Sequence, residues 1–289
     1  MRNIKALLID LSGTLHVGSE PIKGAVAAIQ KLRQAKVPFR FCSNTSKESS
    51  AALIHRLNDA GFEVHPEELF TSLGAMKKLL HERGVQRPYL LLSPSAEEDF
   101  ADFAENSGSN EGREEKDYDA VVIGLAPTKF SYEQLNEAFR ILSNTTSGSK
   151  PIPLLATHRA RYVRSPSGQL SLGPGPFVSA LETGVGNGLR GESVGKPDRA
   201  FFEVCLKDLG VSLDGFGRSQ LKIEDVAIVG DDVEADLAGG AIELGLRRIP
   251  VKTGKYRDGD ERKMEIPPDA VFESIGDLVD ILLSENLQE

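Results

Sequence analysis

At 289 residues, the chain is long enough for one large domain or for two domains of ordinary size. With 40% hydrophobic and 27% charged residues it has the composition of a soluble globular protein, and its net charge of −9 argues against nucleic acid or an anionic membrane as the main partner. Ten acidic and two basic residues lie at positions 97–119, so this solvated stretch carries most of the excess charge.

The first predicted element is a buried strand that ends in a carboxylate. Four apolar residues at positions 6–9 run directly into Asp10, and a turn with Gly13 follows. In open α/β sheets, ligands bind at the carboxyl ends of the strands. Asp10 is therefore a candidate nucleophile at the edge of a sheet.

A polar pair follows the next predicted strand. Helical spacing of apolar residues predicts a helix over residues 22–36, and a strand over 37–42 leads into Ser43 and Asn44. The Thr-Ser-Lys-Glu sequence at 45–48 is a capping box, which predicts the start of another helix. Backbone N–H groups at such a helix start favour an anion, so Ser43 and Asn44 are candidate phosphate ligands.

The middle of the chain begins a new alternation of strands and helices. After a helix over 71–83, strands are predicted over 88–92, 120–125 and 152–156, and helices over 96–104, 131–142 and 177–181. This run is large enough to form a second α/β domain. The G-x-G-x-G sequence at 184–188 does not open a helix, so we interpret it as a hinge rather than a dinucleotide loop. The basic segment 157–164 is either a solvated loop or a contact for an acidic substrate.

The C-terminal part brings back polar residues at strand ends. Lys196 precedes a predicted helix, and a buried strand over 226–229 runs into Gly230, Asp231 and Asp232. The remaining predicted elements are a helix containing Leu237 and Ile242, strands over 248–251 and 270–272, and a helix over 275–283. Alternating strands and helices predict a mostly parallel sheet, with the middle domain inserted between its two halves.

These polar residues suit one kind of chemistry. A lone aspartate after a strand is more often a helix N-cap, but Asp10 and Asp231 both follow buried strands, and Ser43 and Lys196 occupy comparable positions. Paired carboxylates favour a hard divalent cation such as Mg²⁺. A phosphoryl group needs cationic and N–H partners around its oxygens, and a carboxylate can accept it covalently. The set therefore predicts phosphoryl transfer.

The two cysteines, Cys42 and Cys205, each stand beside apolar residues. Two cysteines in apolar surroundings predict packed, reduced thiols in a cytoplasmic protein. No C-x-x-C spacing, which would indicate a metal site, is present. The apolar run at 6–9 is too short for a signal peptide or a membrane span, so we expect no membrane partner.

Four motifs together make the pattern specific. They are Asp10-Leu11-Ser12-Gly13-Thr14, Ser43-Asn44, Gly195-Lys196-Pro197, and Gly230-Asp231-Asp232 followed by Asp236. This set resembles the motifs of the haloacid dehalogenase superfamily, in the branch that carries a large α/β cap between the second and third motifs. Residues 11–16, 124–127, 172–177 and 251–256 also resemble that branch. The resemblance implies an α/β fold: a doubly wound, Rossmann-like parallel-sheet core at 1–79 and 190–289, with an inserted α/β cap at 80–189.

The resemblance implies a metal site built from the first and fourth motifs. Asp10 would be both the nucleophile and a Mg²⁺ ligand, Ser12 would offer its backbone carbonyl to the metal, and Asp231 would be a further ligand. Asp232 and Asp236 would either support these ligands from behind or belong to a plain helix N-terminal turn.

The resemblance also implies how the substrate is held. Ser43 and Asn44 would bind the phosphoryl oxygens, next to the backbone at Ser12. Lys196 would neutralise Asp10 and the phosphoryl charge.

Ser12 is a departure from most phosphatases of the superfamily, which have a second aspartate two residues after the nucleophile. A serine hydroxyl is a poor acid at neutral pH, so general acid catalysis worth about 10²–10⁴-fold is expected to be missing. We therefore expect substrates whose leaving groups need little protonation: aryl phosphates, pyrophosphate or phosphoramidates. His16 is either a substitute acid or an ordinary polar residue after the turn.

The sequence thus predicts a Mg²⁺-dependent phosphatase that acts on a phosphorylated small molecule through an aspartyl-phosphate. The alternatives are a weakly active or non-catalytic phosphate-binding regulatory protein, and a dehalogenase of the same superfamily. A homodimer formed through the cap is also implied by the resemblance.

Overall fold

The computed structural model describes residues 4–105, 118–143, 151–164, 169–213 and 221–286. The acidic stretch predicted at 97–119 therefore lies partly outside the described residues. Among the helices in these ranges, none combines the length and apolar content that a membrane span requires.

The strands are short, and most of them are parallel to their neighbours. They are β1 Ala6–Asp10, β2 His16–Val17, β3 Glu20–Pro21, β4 Phe39–Ser43, β5 Leu69–Thr71, β6 Pro88–Leu91, β7 Ala120–Ile123, β8 Leu154–Ala156, β9 Tyr162–Arg164, β10 Leu170–Leu172, β11 Glu192–Ser193, β12 Val226–Gly230 and β13 Arg247–Pro250.

The α-helices alternate with these strands along the chain. They are α1 Ala25–Gln34, α2 Ser50–Asp59, α3 Ser72–Glu82, α4 Pro94–Glu97, α5 Ala101–Glu105, α6 Tyr132–Ser143, α7 Gly175–Val185, α8 Arg199–Asp208, α9 Gly240–Leu244 and α10 Ile275–Asn286.

A five-stranded sheet carries the first and fourth motifs. Its order is β13-β12-β1-β4-β5, and β1 pairs in parallel with both β12 and β4. The apolar residues of β1 and β12 are fully buried, as expected for strands covered on both faces. The strand order changes direction between β1 and β12, which is the switch point where doubly wound folds bind their ligands.

A second, four-stranded parallel sheet has the order β11-β8-β7-β6. Side chains alternate between its two faces: Val122 packs against a cluster that includes α3, whereas Val121 and Ile123 pack against a cluster that includes α6 and α7. Strands β9 and β10 form a separate antiparallel pair. The middle of the chain thus contains its own parallel α/β layers.

The fold class predicted from the sequence is confirmed. The described chain divides into two compact units: one contains residues 1–43, 54–70 and 196–289, and the other contains 44–53 and 71–195. Residues 44–53, 71–79 and 190–195 fall in the second unit, whereas the prediction placed them in the core. Within 190–195, β11 pairs with β8 of the second sheet. The extents of the core and cap as independent domains stay predictions.

Three local predictions are wrong. The capping box at 45–48 does not start α2, which begins at Ser50; the Ser49 hydroxyl accepts from the N–H of Ala52 in N-cap geometry. No strand forms over 270–272, where a single bridge joins Phe272 to Val251. The helix after Asp232 does not begin until Gly240, and turns cover the residues between.

Candidate active site

Asp10 lies at the carboxyl end of β1, as predicted. It is only 6% exposed, because neighbouring strands cover β1 on both edges. The Thr14 hydroxyl donates to its Oδ2 at 3.2 Å, and the Lys196 ammonium donates to its Oδ1 at 2.6 Å. Both oxygens are thus held in place, which fixes the plane of the carboxylate.

Lys196 is the most deeply buried cation of this site, with 2% of its surface exposed. Its Nζ donates to Asp10 Oδ1 at 2.6 Å, to Asp236 Oδ1 at 2.6 Å and to the Cys42 carbonyl at 2.9 Å. An ammonium has three hydrogens, so all three are satisfied. Burial alone would lower the pKa of Lys196, but Asp10 and Asp236 outweigh it and hold the pKa above its usual value.

Asp231 lies in a close-fitting backbone enclosure after β12. The backbone N–H of Lys255 donates to its Oδ2 at 2.6 Å. A Cβ on Gly13 would come within 2.0 Å of that oxygen, and one on Gly254 within 2.1 Å. Both glycines have positive φ angles, +98° and +55°. Only glycine therefore fits at either position.

Asp232 and Asp236 make different contacts. Asp232 Oδ1 accepts from the N–H groups of Glu234 and Ala235, and its Oδ2 accepts from the Lys255 ammonium at 2.9 Å. Asp236 is bound by Lys196 through one oxygen and by the Asp232 N–H through the other, at 3.1 Å. Asp236 thus lies against the buried lysine, while Asp232 stabilises a turn and binds a second lysine.

The site holds more negative than positive charge. Burial, followed by repulsion from Asp10 and Asp236, raises the pKa of Asp231 well above its usual value. Burial and the Asp10 charge raise the pKa of Asp236 to about 7, against the opposing effect of Lys196. These shifts express the free-energy cost of ionising neighbouring buried carboxylates.

The opposite charges of Asp232 and Lys255 offset the effect that burial has on the pKa of each group. Burial would raise the pKa of Asp232, but Lys255 and the N–H donors of the turn lower it below the usual range. Burial would lower the pKa of Lys255, but Asp232 outweighs it and raises that pKa to about 12.

The donor set fits a hard divalent cation. Asp10, Asp231 and Asp236 are buried and offer oxygens that all lie within 4.8 Å of one another. Mg²⁺ is bound through one or two carboxylates together with water or substrate oxygens. Lys196 binds one oxygen of Asp10 and one of Asp236, and the Lys255 N–H binds one oxygen of Asp231, so each of the three carboxylates is already held in place on one side.

The remaining predicted residues take different positions. Ser12 is exposed in the loop after β1, and Ser43 is buried at the end of β4. Asn44 falls in the second unit, where a Cβ on Gly195 would come within 2.5 Å of its Oδ1. His16 lies in β2, and its Nδ1 donates to the Gly18 carbonyl at 2.9 Å.

Sequence reasoning missed three residues of this site: Thr14, Thr253 and Lys255. Thr14 had the only local signal, because it stands four residues after Asp10 in the same turn. Thr253 and Lys255 belong to the 251–256 stretch, which resembles the superfamily but has no role implied by that resemblance. Their spacing alone does not show that they reach the ends of β1 and β12.

The basic segment has a structural role at Arg159. Its guanidinium binds both oxygens of Glu182, at 2.9 and 2.8 Å, and the Gly191 carbonyl at 2.9 Å. Glu182 also accepts from the Gly191 N–H. This part of the segment therefore joins α7 to the chain before β11.

Comparison with known proteins gives two family matches, one in the N-terminal part of the chain and one in the C-terminal part. A model described as haloacid dehalogenase-like hydrolase matches residues 7–108, and one described as HAD-hydrolase-like matches residues 193–278.

Full-length relatives show the same similarity. The chain is 41% identical to haloacid dehalogenase-like hydrolase domain-containing protein 2 of Homo sapiens, covering 99% of this chain and 98% of the relative. It is 33% identical to the human phospholysine phosphohistidine inorganic pyrophosphate phosphatase, covering 98% and 96%. In fold it is similar to the 4-nitrophenylphosphatase of Thermotoga maritima, with a TM-score of 0.79, 24% identity and coverage of 96% and 97%.

Proposed function

Because this chain belongs to the haloacid dehalogenase-like hydrolase family, we propose that it is a Mg²⁺-dependent phosphatase that forms an aspartyl-phosphate on Asp10. The observation that carries the proposal is the environment of Asp10. Its carboxylate is held between Lys196 and Thr14 and lies within 4.8 Å of the Asp231 and Asp236 oxygens.

Asp10, the Ser12 carbonyl and Asp231 would hold Mg²⁺, which would supply positive charge to the phosphoryl oxygens. Lys196 adds a fixed positive charge beside Asp10 and stays protonated because two carboxylates face it. Ser43 and Asn44 are the proposed partners of the phosphoryl oxygens.

The reaction proceeds in two displacements at phosphorus. An oxygen of Asp10 forms a bond to phosphorus while the bond to the leaving group breaks, and the leaving group departs with the electron pair. Water then attacks the same phosphorus, which releases phosphate and restores the Asp10 carboxylate. Lys196 and Thr14 hold the carboxylate still, so that it need not reorient before attack.

The proposed substrate is a phosphorylated small molecule, pyrophosphate or a phosphoramidate. Two residues after the nucleophile stands the exposed Ser12, which cannot act as a carboxylic acid would. A leaving group that departs without strong acid catalysis is therefore favoured. The name of the human relative, a phospholysine phosphohistidine inorganic pyrophosphate phosphatase, supports this class.

We expect a chelator to abolish turnover and Mg²⁺ to restore it. The metal would also raise the melting temperature, because its charge relieves the repulsion between Asp10 and Asp231, and because a ligand that binds only the folded state stabilises it. Phosphate release and differential scanning fluorimetry, with and without Mg²⁺, measure the two effects. Full activity of the metal-stripped protein would contradict the proposal.

Substrate preference tests the role of Ser12. The kcat/KM for an aryl phosphate should exceed that for a simple alkyl phosphate by about 10²-fold or more, because only the alkyl leaving group needs the missing acid. Ser12→Asp should raise alkyl phosphate turnover, whereas Ser12→Asn, which has nearly the same shape as the aspartate but no acid, should not. Equal turnover of both substrates by the wild type would contradict this expectation.

Because Ser12 stands in place of a general acid, it also favours one alternative: a phosphate-binding regulatory protein with little activity. Vanadate or another phosphate mimic would then bind with Mg²⁺, while a panel of aryl phosphate, alkyl phosphate, pyrophosphate and phosphoramidate would give no turnover above Asp10→Asn. That result would replace the proposed enzyme with a binding protein.

A further inference from the structure

We propose that residues 253–255, which follow β13, are a positioning segment that sets the affinity of the metal site. The inference rests on the proposed function, because it concerns the metal that Asp10, Ser12 and Asp231 would hold. None of the residues 253–255 is itself among these ligands.

The first contact is to the loop after β1. The Thr253 hydroxyl donates to the Gly13 carbonyl at 2.5 Å. Gly13 directly follows Ser12, whose carbonyl is the proposed metal ligand. Because one peptide plane joins Ser12 to Gly13 and the next carries the bound carbonyl, fixing Gly13 restricts the direction of the Ser12 carbonyl.

The second contact is to the loop after β12. The backbone N–H of Lys255 donates to Asp231 Oδ2 at 2.6 Å. This hydrogen bond occupies one carboxylate oxygen from the side of the segment and leaves the other oxygen to face a cation. The Lys255 ammonium binds Asp232 Oδ2 at 2.9 Å, so the same residue holds the neighbouring aspartate as well.

Gly254 allows both contacts at once. A Cβ at this position would lie 2.4 Å from the Gly13 Cα and 2.1 Å from Asp231 Oδ2. The segment therefore packs backbone to backbone against the first loop and against the carboxylate of the second. It links two ligand-bearing loops from different strands and fixes their relative position.

Partners that orient metal ligands typically change metal affinity by about 10–100-fold when they are removed. Thr253 gives the cleanest test, because Thr253→Val keeps the shape and the charge but removes the hydroxyl. Thr253→Ser keeps the hydroxyl and is the matched control.

The experiment titrates Mg²⁺ into the metal-free full-length protein by isothermal titration calorimetry, which needs no turnover. Thr253→Val should raise the Mg²⁺ dissociation constant by about 10-fold or more, while Thr253→Ser stays within about twofold of the wild type. The kcat of Thr253→Val should be closer to the wild-type value at saturating Mg²⁺ than at limiting Mg²⁺. A merely structural role would lower kcat equally at both concentrations.

Gly254→Ala is the second variant, and it should weaken Mg²⁺ binding further because the new methyl group displaces Asp231. Its control is Gly259→Ala, where φ is also positive, at +88°, but a Cβ would meet nothing within 4 Å. The pair separates the strain of a positive φ from the collision at the site. Circular dichroism checks that each variant is folded.

Two results are distinguishable. If the wild type binds Mg²⁺ and hydrolyses substrate, but Thr253→Val and Gly254→Ala bind Mg²⁺ as tightly as it does, the positioning role is overturned and the proposed function stands. If the wild type itself binds no Mg²⁺, the proposed metal chemistry is overturned and the positioning role with it.

Discussion

Asp10→Asn is expected to lower kcat by about 10⁴-fold or more while the fold survives, because removal of a covalent nucleophile typically costs that much or more. Asparagine has nearly the same shape as aspartate, and its carbonyl oxygen can still accept from Lys196 or Thr14. Its amide cannot form a stable bond to phosphorus. Rapid quenching with an aryl phosphate, followed by mass spectrometry, should find a phosphoryl group on the Asp10 peptide of the wild type alone.

The same variant should not lose stability in the absence of metal. Asp10 repels Asp231 and Asp236, and it contributes to the raised pKa of both. Neutralising it removes that repulsion, and Lys196 keeps Asp236 as its counter-ion, so the metal-free variant should melt at or above the wild-type temperature. Asp280→Asn, on an exposed aspartate of α10, is the matched control for activity. Wild-type turnover by Asp10→Asn would overturn the mechanism.

Lys196→Met is expected to have the largest effect on stability, a loss of about 3–5 kcal/mol, the scale observed when one partner of a buried ion pair is removed. The substitution keeps most of the side-chain volume but leaves Asp10 and Asp236 facing each other without a cation. It also leaves the Cys42 carbonyl without its donor. Urea denaturation at neutral pH measures the loss, and kcat should fall because the nucleophile is no longer held.

A double variant identifies the cause. Lys196→Met with Asp236→Asn removes the cation and one of the two carboxylates, so it should be more stable than Lys196→Met alone. Lys207→Met, on an exposed lysine of α8, is the control and should change stability little. If Lys196→Met unfolds at the same urea concentration as the wild type, the buried cation does not support this site.

The strands that carry the site could be predicted because their signal is local. The apolar runs before Asp10 and Asp231 are continuous, which predicts strands that are buried on both faces. The structure shows such strands, because β1 and β12 are buried along their whole length inside a parallel sheet. Parallel strands end at one edge, so the carboxylates that follow them meet there. Lys196 needed the motif resemblance as well, since nothing in its immediate sequence requires a buried lysine.

Helix starts were harder to predict because several residues compete for the same role. The sequence at 45–48 satisfies the capping-box pattern, yet Ser49 makes the capping hydrogen bond. The Ser46 hydroxyl instead lies 3.2 Å from the His158 ring and accepts from the Leu125 N–H. Partners distant in sequence therefore outweighed a local preference.

The sequence by itself predicted the parallel α/β class and placed Asp10 and Asp231 after buried strands. Only the tertiary structure decided which groups surround them: Cys42 and Asp236 on Lys196, and residues 253–255 on Asp231 and Gly13. Apolar periodicity and turn residues act over a few positions and can be read from the sequence. Hydrogen bonds between chain segments up to 240 residues apart depend on how the strands are ordered in the sheet, and no local pattern encodes that order.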